Sequence, residues 1–440
     1  MTLFQVVKEA SVSTKVRSLN DVMEKGPDLM VGLMKVLIHW RTVKTAVIFD
    51  LTKAYWQIHT REKELHLRRA VWRPAPGQPW RVGDLQKSTV TTALATVGLT
   101  PKHIIQSGDP SEESAAKLGG SVLGLKYNLK EDKINFEVTL AYKKRLKGGK
   151  SEVTVMSMQE VKALREGNLS WSRRKALSFL MGVYNPLQML APAMLQGKLL
   201  LRRISSPSLP FDEELPVEEK IRWGEWMAEL LADARTSLKR TVTPKEAVGA
   251  PTLAGYADAS TLACCVVVYV IWKLAEKEES SEDCHGEEGE EGSHLEPQQK
   301  TTTRFSSQIL VARARVNPLS GTTIPKTELQ ALLILLRLQV EILHSTSLKP
   351  ERVVSTSDSK CVLAALNKQG AQLKAFFSNR VAEAHQLLQE GQEQWQGMEQ
   401  VTWVEVNLNP ADIGTRPGSK ISDLGPGSRW QQGPDFHQLP

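Results

Sequence analysis

Four acidic residues in the last third of the chain sit where a carboxylate is hard to explain as ordinary surface charge: Asp258 in GYADAS, Glu328 in KTELQALL, Asp358 in VVSTSDSK and Asp412 in NPADIGTR. Asp258 falls within an apolar run between two alanines, and Asp358 falls where a β-branched run gives way to a helical pattern. A charge at the end of a buried strand is costly unless a partner meets it. Open α/β sheets place their ligand-handling groups at the carboxyl ends of strands. Glu328 is expected in the first turn of a long helix and Asp412 at the start of a final helical turn. Brought together, the four would raise one another's proton affinity, a repulsion that two hard divalent cations about 4 Å apart can offset. Such a pair activates water and stabilises a leaving oxygen in phosphodiester displacement, and Asp258 is the natural bridging ligand. Singly, each acid also reads as a helix-start or surface group.

The surrounding pattern supplies elements to hold them. From residue 251, GYADAS and TLACCVVVYVIW read as two strands around a tight turn at Ser260–Thr261, and RFSSQILVARAR (304–315) as a third. KTELQALLILLRLQVEIL (326–343) is a strong helix with Pro325 in its first turn. ERVVSTSD is a fourth strand, followed by helices over SKCVLAALNK and FFSNRVAEAHQLLQE, and VTWVEV (401–406) is a fifth strand. The order β-β-β-α-β-α-α-β-α predicts an α/β fold with a mixed five-stranded sheet. Further upstream, SVLGLKYNLKEDKINFEVTLA (121–141) reads as two strands around a turn at 128–133. EEKIRWGEWMAELLADAR (218–235) is an amphipathic helix, with Trp223, Trp226, Leu230 and Leu231 on its packing side. Residues 172–204 read as helix broken near Pro186 and Pro192, and Leu19 to Trp40 as helical.

The chain has 440 residues, 41% of them hydrophobic, enough for more than one core. Its net charge of +7 is uneven: residues 274–300 hold ten acidic residues against two lysines, so the remainder carries more than twice that positive charge. A basic body with a solvated acidic loop suits a polyanionic partner. The loop is expected to be disordered and to extend a hairpin. Cys264, Cys265, Cys284 and Cys361 form no CxxC pair and read as reduced thiols, pointing to cytoplasm or nucleus. No run approaches the length of a membrane span.

YADAS, IPKTELQALL, STSDSK and NPADIGTR together resemble the ribonuclease H domain of Bel/Pao-type retrotransposon polyproteins. The resemblance implies that Asp258, Glu328, Asp358 and Asp412 are catalytic and hold two Mg²⁺ ions (Mn²⁺ being an alternative), and that the substrate is an RNA–DNA hybrid. Arg380, in the family-like SNRVAE, is implied as a hybrid-backbone contact. Lys326 and Thr327 stand where the family tends to have arginine and leucine. Such enzymes often place a histidine near the last aspartate. The nearest upstream one here, His385, is on a helix.

SVLGLKYN and KALSFLMGVYNPLQMLAPAMLQGKLLLRRI resemble the Pao connector. SLNDVMEKGPDL and VIFDLTKAYWQIHTREKELHLRRAVWR resemble the fingers and first palm strand of the element's reverse transcriptase, with Asp50 at its first metal-binding aspartate. A polymerase also needs adjacent aspartates on a second palm strand, and the sequence has no Asp-Asp pair. The implied organisation is an α+β reverse transcriptase remnant (1–100), a connector (101–245), a ribonuclease H-like domain (246–424) with the acidic insertion 274–300, and a tail (425–440). No protease, zinc or integrase signature is evident, so a truncated or decaying element is expected. The implied activity is hydrolysis of the RNA strand in RNA–DNA hybrids with polymerase activity lost. The alternative is a non-catalytic nucleic-acid-binding protein.

Overall fold

The computed structural model describes residues 31–51, 69–72, 81–84, 101–145, 151–205, 209–232, 235–275, 304–319, 322–368, 373–395 and 397–434. Its N-terminal elements are α1 (Leu33–Thr42), β1 (Val47–Leu51), β2 (Arg69–Trp72), β3 (Arg81–Asp84), β4 (Pro101–Gln106) and α2 (Glu112–Leu118). Then come β5 (Ser121–Val122), β6 (Leu125–Asn128), β7 (Lys133–Glu137), β8 (Ala141–Arg145), β9 (Ser151–Val155), α3 (Met158–Arg165), α4 (Arg173–Gly182), α5 (Ala191–Arg203) and α6 (Val217–Ala232). The remainder comprises β10 (Arg235–Lys239), β11 (Ala247–Ala259), β12 (Ala263–Leu274), β13 (Arg304–Val316), α7 (Ile324–Ser345), β14 (Arg352–Ser357), α8 (Lys360–Leu366), α9 (Ala375–Trp395), β15 (Thr402–Trp403) and α10 (Arg429–Gln432).

β11 to β15 form one mixed sheet in the order β13-β12-β11-β14-β15. The first three strands are antiparallel neighbours, and β14 pairs in parallel with both β11 and β15. Parallel pairing needs a crossover, which α7 supplies between β13 and β14, and α8 with α9 between β14 and β15. β12 is buried along nearly its whole length, from Ala263 to Ile271. A continuous Cys-Cys-Val-Val-Val-Tyr-Val-Ile run suits a central strand covered on both faces. The β12–β13 pairing continues to Leu274 opposite Arg304, so 275–303 connect the open end of a hairpin, as expected. The acidic segment itself, from 276 to 300, lies outside the described residues, and so does the expectation of disorder there.

α7 crosses the sheet closely because Gly255 faces it. A Cβ at that position would lie 2.5 Å from Leu335 Cδ1 and 2.7 Å from Gln339 Nε2. Gln339, fully buried, then bridges helix to sheet by donating to the Val354 carbonyl at 2.9 Å and accepting from Ser355 Oγ at 2.7 Å. The carboxamide satisfies polar groups that would otherwise be orphaned in an apolar layer.

Several expectations need adjusting. β11 begins at Ala247, because a bulge between Val248 and Thr252 absorbs Gly249 and Pro251. Asp258 is therefore the penultimate residue of a long strand. α7 begins at Ile324, one turn ahead of Glu328. The fifth strand pairs only at Thr402 and Trp403 before the chain enters a 3₁₀ turn at Val406–Leu408. Pro192 does not break a helix but sits in the first turn of α5.

Upstream, β10-β7-β6-β5 form a four-stranded antiparallel sheet, including the expected β6–β7 pair. Trp223, Trp226 and Leu230 of α6 are buried as the amphipathic pattern predicts, and Trp223 and Trp226 form an aromatic cluster with Trp171 and Phe179. β1 pairs with β4, placing the Asp50 backbone opposite His103. The Asp50 side chain lies outside the described residues, as do residues 1–30. No described helix is long and apolar enough to cross a membrane.

Candidate active site

The parallel register of β11 on β14 decides the site. Ala257 lies opposite Ser357, so the next residues, Asp258 and Asp358, leave two adjacent strands at the same edge. The third acid arrives with the 3₁₀ turn Pro410–Gly414. Asn409 caps that turn by accepting from the Ala411 amide at 3.1 Å, and its side-chain amide donates to the Ala257 carbonyl at 3.0 Å. Gly414 lets the turn lie against β12, since a Cβ there would come within 2.3 Å of Cys265 Sγ. Cys265 is the cross-strand partner of Asp258, so the turn carrying Asp412 is pinned beside Asp258. Glu328 reaches the group from α7, where Ser359 Oγ donates to its Oε2 at 2.6 Å.

Burial and mutual repulsion act in the same direction. Asp258 is 8% exposed, and desolvation pushes its carboxyl up to about 6, with Asp358 and Asp412 adding to the rise and the Thr415 hydroxyl opposing it. Asp358 is also raised by burial, with Glu328 and Asp412 contributing, while its own backbone amide and Asn409 hold it down. Glu328 is raised by burial and by Asp258, against the Ser359 hydrogen bond. Desolvated like charges that raise one another's proton affinity are the electrostatic mark of a candidate functional site.

The donors are all carboxylate oxygens, which suits a hard divalent ion. As they stand, however, the described residues contain no set of three or more His, Cys, Asp or Glu in a metal-holding arrangement. Internal partners occupy several of the oxygens. Thr415 Oγ1 donates to Asp258 Oδ2 at 2.5 Å, Ser359 holds Glu328, and Arg416 Nη2 lies 2.8 Å from Asp412 Oδ1. Thr415, Ser359 and Asn409 carry no signal of their own in the sequence, although each lies inside or beside the motif of an acid it supports.

Arg380 is engaged within its own helix, α9. Its guanidinium stacks 3.7 Å from the Phe376 ring centroid and donates to the Phe376 carbonyl at 3.2 Å. His385 is held at the end of α8, its Nε2 3.0 Å from the Leu366 carbonyl oxygen.

Residues 172–283 and 296–359 match the family described as Pao retrotransposon-like RNaseH-like domain. The match spans the expected boundary at 245/246 and takes in Asp258, Glu328 and Asp358, with Asp412 beyond its end. No curated protein sequence matches the chain. Among solved structures, the N-terminal RNase H domain of a Mycobacterium tuberculosis protein, fused to maltose-binding protein, is 13% identical. That match covers 38% of this chain and 91% of that one, with a TM-score of 0.23. RNase H1 from Halobacterium salinarum is 11% identical over 37% of this chain and 91% of its own, with a TM-score of 0.19. A foamy viral protease–reverse transcriptase in complex with double-stranded DNA is 10% identical over 84% of this chain and 59% of its own, with a TM-score of 0.38. Over residues 172–283 and 296–359, then, the chain is similar to the Pao retrotransposon-like RNaseH-like domain family, and the later part of that match folds into the mixed sheet of order β13-β12-β11-β14-β15.

Proposed function

We propose that the chain is a retrotransposon-derived nuclease that hydrolyses the RNA strand of RNA–DNA hybrids at the edge where β11 and β14 end. The observation that carries this reading is the parallel register of β11 on β14, which sends Asp258 and Asp358 off adjacent strands at one edge, with the Pro410–Gly414 turn tied to β11 and Glu328 held by Ser359 beside them. Asp258 and Asp358 on the strand ends would be the rigid ligands, and Glu328 and Asp412 would complete the set for Mg²⁺ or Mn²⁺. Bound divalent cations would supply Lewis acidity and a lowered pKa for water. The chain's own residues prepare the site for them. Thr415 orients the Asp258 carboxylate, Ser359 orients Glu328, and Asn409 ties the Asp412 turn to β11 while supporting Asp358. The site lies in a chain whose basic residues outside the acidic segment can meet hybrid phosphates, and a 2′-hydroxyl distinguishes the strand to be cut. The absence of any Asp-Asp pair from the sequence argues that Asp50 supports no nucleotide addition.

The test is cleavage of end-labelled hybrid with Mg²⁺ or Mn²⁺ by the full chain and by Asp258→Asn. Metal-dependent products from the first and none from the second are expected. Equal cleavage by both would end the proposal.

One observation favours a second reading, binding without catalysis. Arg416 sits on Asp412 and hydroxyls on Asp258 and Glu328, so three of the four acids have partners within the chain. Salt-sensitive hybrid binding with no cleavage in either metal would select it.

A further inference from the structure

Beside the carboxylates stands an aromatic residue with no packing reason to be where it is. Among the tryptophans whose side chains are described Trp403 alone is exposed, at 44%, whereas Trp171, Trp223 and Trp430 are among the most deeply buried side chains. Its placement is nonetheless fixed. The indole Nε1 donates to the Asp358 carbonyl at 3.2 Å, and the Lys360 ammonium lies 5.3 Å from the ring centroid. Three consecutive residues thus serve three neighbouring groups: Asp358 supplies a carboxylate, Ser359 holds Glu328, and Lys360 sets its ammonium beside the indole. Another cation-bearing aromatic differs. Phe376 already carries two cations, Lys326 at 5.2 Å and Arg380 at 3.7 Å, and is only partly exposed.

We infer that Trp403 and Lys360 form a subsite for an unpaired nucleotide adjoining the cut, with the base stacked on the indole and its phosphate met by the ammonium. This rests on the nuclease reading above and adds a substrate preference to it. An exposed π-face beside a cation is the arrangement that binds single strands irrespective of sequence. Paired bases inside a duplex present no free face, so the subsite favours a hybrid that continues into a single-stranded extension. Holding the ring by its N–H reduces the ordering cost on binding.

The experiment measures binding of the full chain, in EDTA so that cleavage plays no part, to a fluorescent blunt hybrid and to the same hybrid with a short single-stranded DNA extension. Wild type is expected to bind the extended form about tenfold tighter. Trp403→Ala should bind both forms equally, and Trp403→Phe, which keeps a ring but loses the N–H donor, should retain most of the preference. Lys360→Gln should lower the salt slope of log Kd on the extended form by about 0.7, a change that a purely structural lysine would not cause. The inference is overturned by an absent preference in wild type, by a preference that survives in Trp403→Ala, or by an unchanged salt slope in Lys360→Gln. If wild type binds the blunt hybrid and cleaves it with metal but shows no preference, this inference fails alone. If it neither binds nor cleaves any hybrid, the nuclease reading fails with it.

Discussion

Two regions of this molecule bury charge, and they do so in opposite ways. Arg240 is fully buried and saturated with acceptors. It donates to both oxygens of Asp132 at 2.7 and 3.0 Å, to the carbonyls of Trp40, Val43 and Lys44 at 2.6, 2.9 and 2.7 Å, and to Ser107 Oγ at 3.3 Å. One guanidinium thereby fastens the end of α1, the turn after β4 and the β6–β7 turn to the strand end at β10. Asp258, also buried though less completely, is met by a hydroxyl and by two further carboxylates that repel it. Buried charge with matched partners holds a fold together, whereas buried charge among like charges stores a demand for a ligand. Arg41 lies between the extremes. It donates to the Leu310 carbonyl at 2.6 Å, but its Nη2 has no hydrogen-bond partner, and burial together with Arg240 pushes it down to about 9.

The comparison is broken most directly by Asp258→Asn. If the proposed function holds, loss of the Asp258 carboxylate should reduce hybrid cleavage about a thousandfold, the equivalent of roughly 4 kcal/mol of transition-state stabilisation. The same change should leave the fold as stable or more stable at neutral pH, since it removes a desolvated, repelled charge. A variant that lost activity by unfolding, as seen in thermal melts, would place Asp258 with Arg240 among the structural charges.

Arg240→Met tests the other region and should behave inversely. Stripping donors from Asp132 and three carbonyls should cost about 3 kcal/mol in urea unfolding, with cleavage per folded molecule nearly unchanged. Gly255→Ala should cost about 1–3 kcal/mol in the same assay, because the added methyl meets Leu335 and Gln339 across the sheet–helix contact.

The pH dependence of stability sharpens the contrast further. The Asp258 carboxyl is raised from 3.8 to about 6 in the folded chain, so the native state holds this proton more tightly than the unfolded state. Its contribution is fully present below the unfolded value and is lost as pH rises through the folded one. Urea midpoints of wild type should therefore fall relative to Asp258→Asn between pH 3.8 and about 6. Parallel curves would deny the desolvation on which the site rests.

What could be read from the amino acids follows from the range of the interactions involved. Asp258 and Asp358 stand out because each interrupts a run of apolar or β-branched residues, a local signal. The β6–β7 hairpin and the packing face of α6 are likewise set by near neighbours. The upstream half of β11 is hidden because Gly249 and Pro251 read as breakers, and only the bulge against β12 accommodates them. VTWVEV alternates like a strand, but it stops pairing after Trp403 as the chain turns toward Asn409, which is anchored on Ala257. Arg240 sits in LKRTVTP and looks like any surface cation, since its acceptors lie far away in sequence. Thr415 is invisible as a site residue for the same reason: its partner is 157 positions earlier.

Thr415 also offers the finest test of how the carboxylate group is tuned. Its hydroxyl lies 2.5 Å from Asp258 Oδ2 and 3.0 Å from the Asp412 carbonyl oxygen, and the charged acceptor takes the stronger bond. That bond favours the ionised form of Asp258, so removing it must raise the carboxyl further. If ionised Asp258 is the active form, Thr415→Val should move the acid limb of the cleavage-rate profile to higher pH by about half a pH unit, with the rate at high pH little changed. Thr415→Ser, which keeps the donor, should restore the wild-type limb. A Thr415→Val profile that falls uniformly at all pH values would mean that the residue only packs the 3₁₀ turn, and that Asp258 is oriented by the sheet alone.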